Sequence, residues 1–491
     1  MYPCLTGAEH VNIGERKFKQ PVELTKIIGV LIAKAGIIVF ERGIVMKDCK
    51  SCGMNYDHKE YKFCPYCGDT DEAEPAEIPE KAPRKKAVER EIPVQQEKAK
   101  PAAKKLTYIL IGIAAVVVIA AGLSALFVFG DSGVTVPDKY PTIQEAIDAA
   151  NDGDVIVIQV GVYRENIDFK GKNITLRSTD PDDPAIVGET IIDGGGSGIV
   201  VSFRSGEGEG AVLSGLTITR GSGIVISGFS SPIVEKCIIE DNTAEYGAGI
   251  YIVNSSPTIR DNMIIGNSGS LGGGIFVEES SPLIERNTIT ENRANMGSGI
   301  AIVYDSAPTV RENMITDNFA ANIGGGLLVA VGSTPLIESN VITDNYAERN
   351  GGGLYIDESE PVLKGNTIAQ NRAANGGGIF IVNSMNIALQ INANNIESNL
   401  ASIAGGGIYM QGSSPTIEEN SFVKNESEAL GGAMAVYTST PILRRNIFES
   451  NLALDPGQGG AIWYSADSVL ELSDPDNNTY LLNVPDDLYS E

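Results

Sequence analysis

Residues 272–295 read GGGIFVEESSPLIERNTITENRAN, and residues 351–375 read GGGLYIDESEPVLKGNTIAQNRAAN. Both are copies of one unit: three glycines, alternating apolar residues, a polar turn ending in Pro, then Ile-x-x-Asn-x-Ile-x-x-Asn. Gly324, Gly376 and Gly405 open further copies, and the period runs from 25 to 29 residues, with Ile250 and Ile275 at the short end. Self-similarity at this period marks a solenoid, in which each unit buries its apolar face only against its neighbours. Apolar residues alternate (Ile250, Ile252; Ile275, Val277; Leu354, Ile356), so the repeated element is a strand. The expected fold is all-β, a parallel β-helix, with function written on its surface.

Stacking turns each sequence column into a ladder with a step of about 4.8 Å. One column is Asn262, Asn287, Asn313, Asn340, Asn366, Asn394, Asn420, Asn446; a second runs Asn267, Asn292, Asn318, Asn345, Asn371, Asn399, Asn425, Asn451. Stacked amides satisfy one another and the turn backbone. Cys237 takes the asparagine position one coil earlier and reads as a buried, inert thiol. Two residues before the first ladder runs Glu235, Arg260, Glu285, Arg311, Glu338, Lys364, Asn392, Glu418, Arg444. The alternating sign supports the register, because opposite charges across neighbouring strands stabilise and like charges do not. A further column holds Tyr251, Phe276, Ala301, Leu328, Tyr355, Phe380, Tyr409, Ala435 and Trp463, between inward-facing residues, so it points outward. Its aromatics stack either on sugar rings or on one another.

Upstream, Ile143, Ala146, Ile147 and Ala150 share one face of a short helix that would lid the core. Strands begin at Val155, Val157 and Gln159, with a turn at Gly161-Val162-Tyr163. Thr142 to Ala150, Gly153-Asp154 and Gly161 through Ile167 resemble the N-terminal cap of the pectin lyase-like superfamily, and with the repeats the resemblance covers most of residues 134–465. It implies a right-handed β-helix and brings lyases, polygalacturonases and pectin methylesterases into view. Their motifs are missing. The two histidines, His10 and His58, lie outside the solenoid, so no Gly-His-Gly element exists. The Asn-Thr-Asp, Gln-Ala-Val, Asp-Phe-Ile-Phe-Gly and Arg-Pro-Trp elements are also unmatched, and the sole tryptophan is Trp463. Glu278, Glu279 and Asp305 on adjacent coils are candidate Ca²⁺ ligands, but a lyase also needs an Arg or Lys base, and none accompanies them in that turn. The chain also resembles accessory β-helix proteins that deliver copper to nitrous oxide reductase, yet the solenoid has no His, and Met263 and Met314 sit at scattered positions. Residues 448–451 and 459–462 resemble the repeats of polymorphic outer-membrane proteins, which are adhesive solenoids. The reading is a binding or adhesion protein for carbohydrate. The alternatives are a polysaccharide lyase or hydrolase and a metal-handling accessory protein.

Charge divides the chain. Residues 131–491 carry −29 and residues 1–130 carry +3. So acidic a solenoid repels nucleic acid and anionic lipid. Residues 106–129, LTYILIGIAAVVVIAAGLSALFVF, are free of charge and long enough to span about 30 Å of hydrocarbon. Lys98, Lys100, Lys104 and Lys105 precede them and Asp131 follows, so the expected protein crosses the cell membrane once, N-terminus cytoplasmic and residues 132–491 outside. The run 27–40 is short, carries Lys34 and is not read as a span. Within residues 46–70, Cys49-x-x-Cys52 and Cys64-x-x-Cys67 have the spacing of a zinc ribbon, four thiolates around a structural Zn²⁺, and resemble the ribbons at the N-termini of many prokaryotic membrane proteins. A redox role is the rival, but no βαβ pattern surrounds the cysteines. Residues 71–105, rich in Glu, Lys, Pro and Ala, read as a disordered linker. Residues 1–45 show no pattern, which makes Met46 a candidate start.

Overall fold

Strands of three or four residues, each with one apolar face and bounded by turns, have no core of their own. They bury that face by stacking coil on coil. The computed structural model describes residues 46–48, 55–57, 134–385, 389–455, 458–472 and 478–490. In the solenoid, parallel sheets of 14, 13 and 13 strands wind about thirteen coils around one core, and a fourth sheet of nine strands joins them. One coil runs Ile275–Glu278 in the third sheet, Leu283–Glu285 in the first, Thr288–Thr290 in the second and Arg293–Met296 in the fourth. It then re-enters the third sheet at Ile300–Val303. The register holds along the axis: Ile250 pairs with Ile275, Ile275 with Ile300, Ile300 with Leu327 and Leu327 with Leu354. Columns of Ile, Leu and Val therefore stack fully buried. Near the last coils the stack turns aromatic, with Phe422, Phe448 and Tyr480 at ring spacings of 4.7 and 5.1 Å.

The expected cap is present. Ile143–Ala149 is helical and buries Ile143, Ala146 and Ile147. The cap sequence motif has a structural meaning here. Glu165 accepts the first two helical N–H groups, those of Ile143 and Gln144, at 2.9 and 3.0 Å, where the helix dipole favours an anion. Tyr163 donates its hydroxyl to the Gln159 carbonyl at 2.9 Å.

Both asparagine ladders form as expected. Asn287 donates from Nδ2 to Asn313 Oδ1 at 3.0 Å and to the carbonyls of Ile259 and Glu285, while Asn313 Oδ1 also accepts the Asn287 backbone N–H at 2.9 Å. An amide is required, because each rung must both donate and accept. The ladder begins at Cys237, whose N–H donates to Asn262 Oδ1 at 2.9 Å; its thiol is buried and pushed up to about 12 by desolvation. The charge column pairs only in part: Arg260 with Glu235 and Arg311 with Glu285, each at 2.6 Å, whereas among the described residues Glu338 and Lys364 adjoin without an ion pair and Glu418 is taken by Arg445 instead of Arg444. Burial pushes the Glu285 carboxyl up, but hydrogen bonds from Arg311 and Arg286 outweigh it and hold it below its ordinary value.

A third ladder, of serines, has no counterpart in the sequence reading. Ser230, Ser255, Ser280, Ser306, Ser333, Ser359, Ser384, Ser413 and Ser439 stack at the turn between third and first sheets. Each serine N–H donates to the next hydroxyl, for example Ser255 to Ser280 at 3.0 Å. The ladder starts at Glu207, fully buried, which accepts Ser230 Oγ at 2.7 Å and the N–H groups of Gly171 and Ser205. The signal was present in sequence, as a serine two residues before each turn proline.

The chain divides into two units, residues Met1–Leu110 and Ile111–Glu491. In the first, the described residues form one antiparallel pair, Met46–Asp48 with Asn55–Asp57. Cys49, Cys52, Cys64, Cys67, the linker and the apolar run 106–129 lie outside the described residues. Among the described residues, no helix is long and apolar enough to cross a membrane.

Candidate functional site

The aromatic column points out of the main core, as alternation requires, but it is not exposed. Phe276 is 2%, Phe380 6% and Trp463 3% accessible. The last positions of the fourth sheet (Tyr246, Leu271, Met296, Ile323) pack over the column and make a second, smaller core with Tyr251, Phe276, Leu328 and Tyr355. The turn between the two layers is tight enough to demand glycine. Gly272 has φ +66°, and a Cβ there would lie 2.8 Å from Phe276 Cβ. The rings stack on each other: Tyr355 on Phe380 at 5.2 Å and 3°, Phe380 on Tyr409 at 4.9 Å and 5°. Of the six aromatics that were candidates for stacking on sugar or on one another, Phe276, Phe380 and Trp463 are buried, and Tyr251, Tyr355 and Tyr409 are half-buried. Outward from one core is inward to another.

Tyr251 donates its hydroxyl to Glu278 Oε2 at 2.8 Å. Burial raises the Glu278 carboxyl, the Tyr251 hydrogen bond opposes that rise, and the Glu279 charge adds to it. Tyr251 is raised as well, by burial and then by Glu278. Glu278 is thus committed to the second core, whereas Glu279 and Asp305 face solvent in successive turns. Among the described residues no three His, Cys, Asp or Glu side chains gather to hold a metal. Glu278, Glu279 and Asp305 do not converge on one cation.

A different constellation emerges from the turn column just before the serine ladder. Phe229, Asn254, Glu279 and Asp305 occupy it on four consecutive coils, each in the left-handed region with φ of 61°, 48°, 46° and 51°. With Ser231, Ser256 and Ser281 they line an open cavity of about 290 Å³. Asn, Asp and Gly tolerate such φ most readily, but the repeating turn imposes it on any residue: later coils place Gly332, Glu358, Asn383, Gly412 and Thr438 there. Phe229 is the one aromatic residue among these positions, and it is 82% exposed. The groove offers one aromatic face, hydroxyls, an amide and two carboxylates, and no basic side chain lines it. It suits a polyhydroxylated ligand and lacks the base that eliminative cleavage needs.

The family described as "Right handed beta helix region" matches residues 161–318, 270–404 and 298–479. Over 98 residues the chain is 32% identical to the probable pectinesterase/pectinesterase inhibitor 17 of Arabidopsis thaliana. That stretch is 19% of this chain and 19% of the plant protein, so the chain spans about a fifth of that relative's length. Stacked coils in constant register, the helical cap and these matches together place the chain in the right-handed β-helix family, within the pectin lyase-like superfamily.

Proposed function

We propose that the protein binds a polysaccharide outside the cell without cleaving it, held to the membrane by residues 106–129. The observation that carries this reading is Phe229, an exposed aromatic residue lining a groove of hydroxyl, amide and carboxylate groups. Sugars offer that groove an apolar ring face to stack on Phe229 and hydroxyls to hydrogen-bond with Asn254, Glu279 and Asp305. Glu279 and Asp305 act as hydrogen-bond acceptors in this reading rather than as calcium ligands. The uncharged run 106–129 and the lysines before it support the single span, with the solenoid outside. The two Cys-x-x-Cys pairs support a structural zinc ribbon inside. The strand pair Met46–Asp48 and Asn55–Asp57, which flanks Cys49 and Cys52 in sequence, agrees with it. Metal analysis of purified protein tests the ribbon, with one zinc per chain expected and loss on Cys49→Ser.

The groove is tested on the full chain in detergent with a glycan array, comparing wild type with Phe229→Ala. Loss of at least tenfold in affinity with unchanged melting temperature is expected. Equal binding by both proteins removes the groove. Release of reducing or unsaturated ends from any bound polymer refutes the non-catalytic reading.

A further inference from the structure

The outer face of the fourth sheet carries two further aromatics, Phe319 half-buried and Tyr346 exposed. Arg293 pairs in register with Phe319, Phe319 with Tyr346, and Tyr346 with Arg372. Four consecutive coils thus present Arg, Phe, Tyr and Arg in one row along the solenoid axis, spanning about 14 Å at the parallel-strand step. Tyr346 is 41% accessible, and its ring lies 5.5 Å from that of Phe319, tilted by 32°. The Arg293 guanidinium sits 5.7 Å from the Phe319 ring centre. Neither Arg293 nor Arg372 forms an ion pair among the described residues, although the solenoid is rich in acids. Beneath the row, Ala294, Ala320, Ala347 and Ala373 are buried. Ala320, Ala347 and Ala373 pack on one another, so the row is backed by a close-packed layer.

We infer that this row is a second binding platform, for a neutral polysaccharide lying parallel to the solenoid axis. Its ligand class rests on the polysaccharide reading above, but its residues are independent of the groove. Aromatic faces stack on sugar rings, and the unpaired guanidiniums donate to hydroxyls. Glu291, Asp317 and Asp344, exposed two residues before Arg293, Phe319 and Tyr346, accept from hydroxyls. Thr316 and Thr343 donate to those two aspartates at 2.9 and 2.8 Å and hold them in place. Donors stand at the two ends of the row and acceptors beside its first three coils, which fits an uncharged polyol. The same acids and the charge of −29 over residues 131–491 disfavour both a polyuronate and a second copy of this chain.

The test is calorimetric titration of the full chain in detergent with cellohexaose, mannohexaose and polygalacturonate. Wild type is expected to bind a neutral hexaose, and Phe319→Ala/Tyr346→Ala to bind it at least tenfold more weakly, with little dependence on salt. Equal binding by wild type and the double variant overturns the platform and leaves the polysaccharide reading intact. Preference for polygalacturonate overturns the neutral class. No binding of any of the three by wild type overturns the platform, while the glycan array decides the broader reading separately. Should the double variant melt early, Arg293→Gln/Arg372→Gln replaces it, both side chains being exposed. A several-fold loss is expected there, and unchanged binding refutes the inference.

Discussion

Asn318 sits mid-way along the second asparagine ladder and is 1% accessible. Its Oδ1 accepts the backbone N–H and the Nδ2 of Asn292, both at 3.1 Å. Its Nδ2 donates to Ile289 O at 2.9 Å and to Thr316 O and Asn345 Oδ1 at 3.0 Å. Asn318→Ala strands the buried Asn292 N–H, at roughly 1–3 kcal/mol, and removes further bonds worth about 1 kcal/mol each net, so a loss of roughly 3–5 kcal/mol is expected. Asn318→Asp keeps the shape but turns the donor into a second oxygen facing three acceptors. A charged carboxylate there is buried without a partner, so its folded value must rise above the unfolded one near 3.9. The added penalty is absent below the unfolded value and grows as pH climbs toward the folded one. At pH 7 the Asp variant is therefore expected to be less stable than the Ala variant, and the order reverses below about pH 4. A solenoid unfolds coil by coil more readily than a globule, so global denaturation can hide a local defect. Hydrogen exchange by mass spectrometry over residues 284–296 reads the effect where it falls. Unchanged protection of that segment in Asn318→Ala, or identical pH dependence for the two variants, refutes the account of the ladder.

Two other consequences can be measured directly. Glu285, held below the ordinary carboxylate range by Arg311 and Arg286 against the effect of burial, contributes stability above the unfolded carboxyl value and loses it as pH falls through the folded one. The stability gap between wild type and Glu285→Gln should thus narrow on acidification below about pH 4; a constant gap contradicts the pairing. Cys237, with its thiol pushed up to about 12, should resist iodoacetamide in the native protein at pH 8 and react after unfolding, as peptide mass spectrometry would show.

How much of this was legible in sequence depended on whether the repeat itself carried the information. The two asparagine columns, the inward Ile and Leu columns and the alternating charges follow from period alone, because a fixed register makes every column a physical neighbour set. The apolar face of residues 143–150 similarly announced the lid. The serine ladder was equally periodic, at Ser255, Ser280 and Ser306, but serines before a turn proline are common enough to pass for solvated polarity. Phe229 could have been found as the one aromatic in a column otherwise made of polar residues and glycine.

The fate of the aromatic column belonged to tertiary structure. Alternation determines which side of its own strand a ring occupies, so Phe276 and Phe380 had to leave the main core. It says nothing of what another segment lays over that side. The stretches Ser268–Leu271 and Arg293–Met296 carry little local preference for strand, and they pair only because parallel neighbours on both sides satisfy their backbones. Once paired, they cover Phe276 and leave Phe319 half-buried and Tyr346 exposed on the outer face of the same sheet. Register is local and repeats, so sequence alone determines it; exposure depends on long-range contact, and only the folded chain decides it.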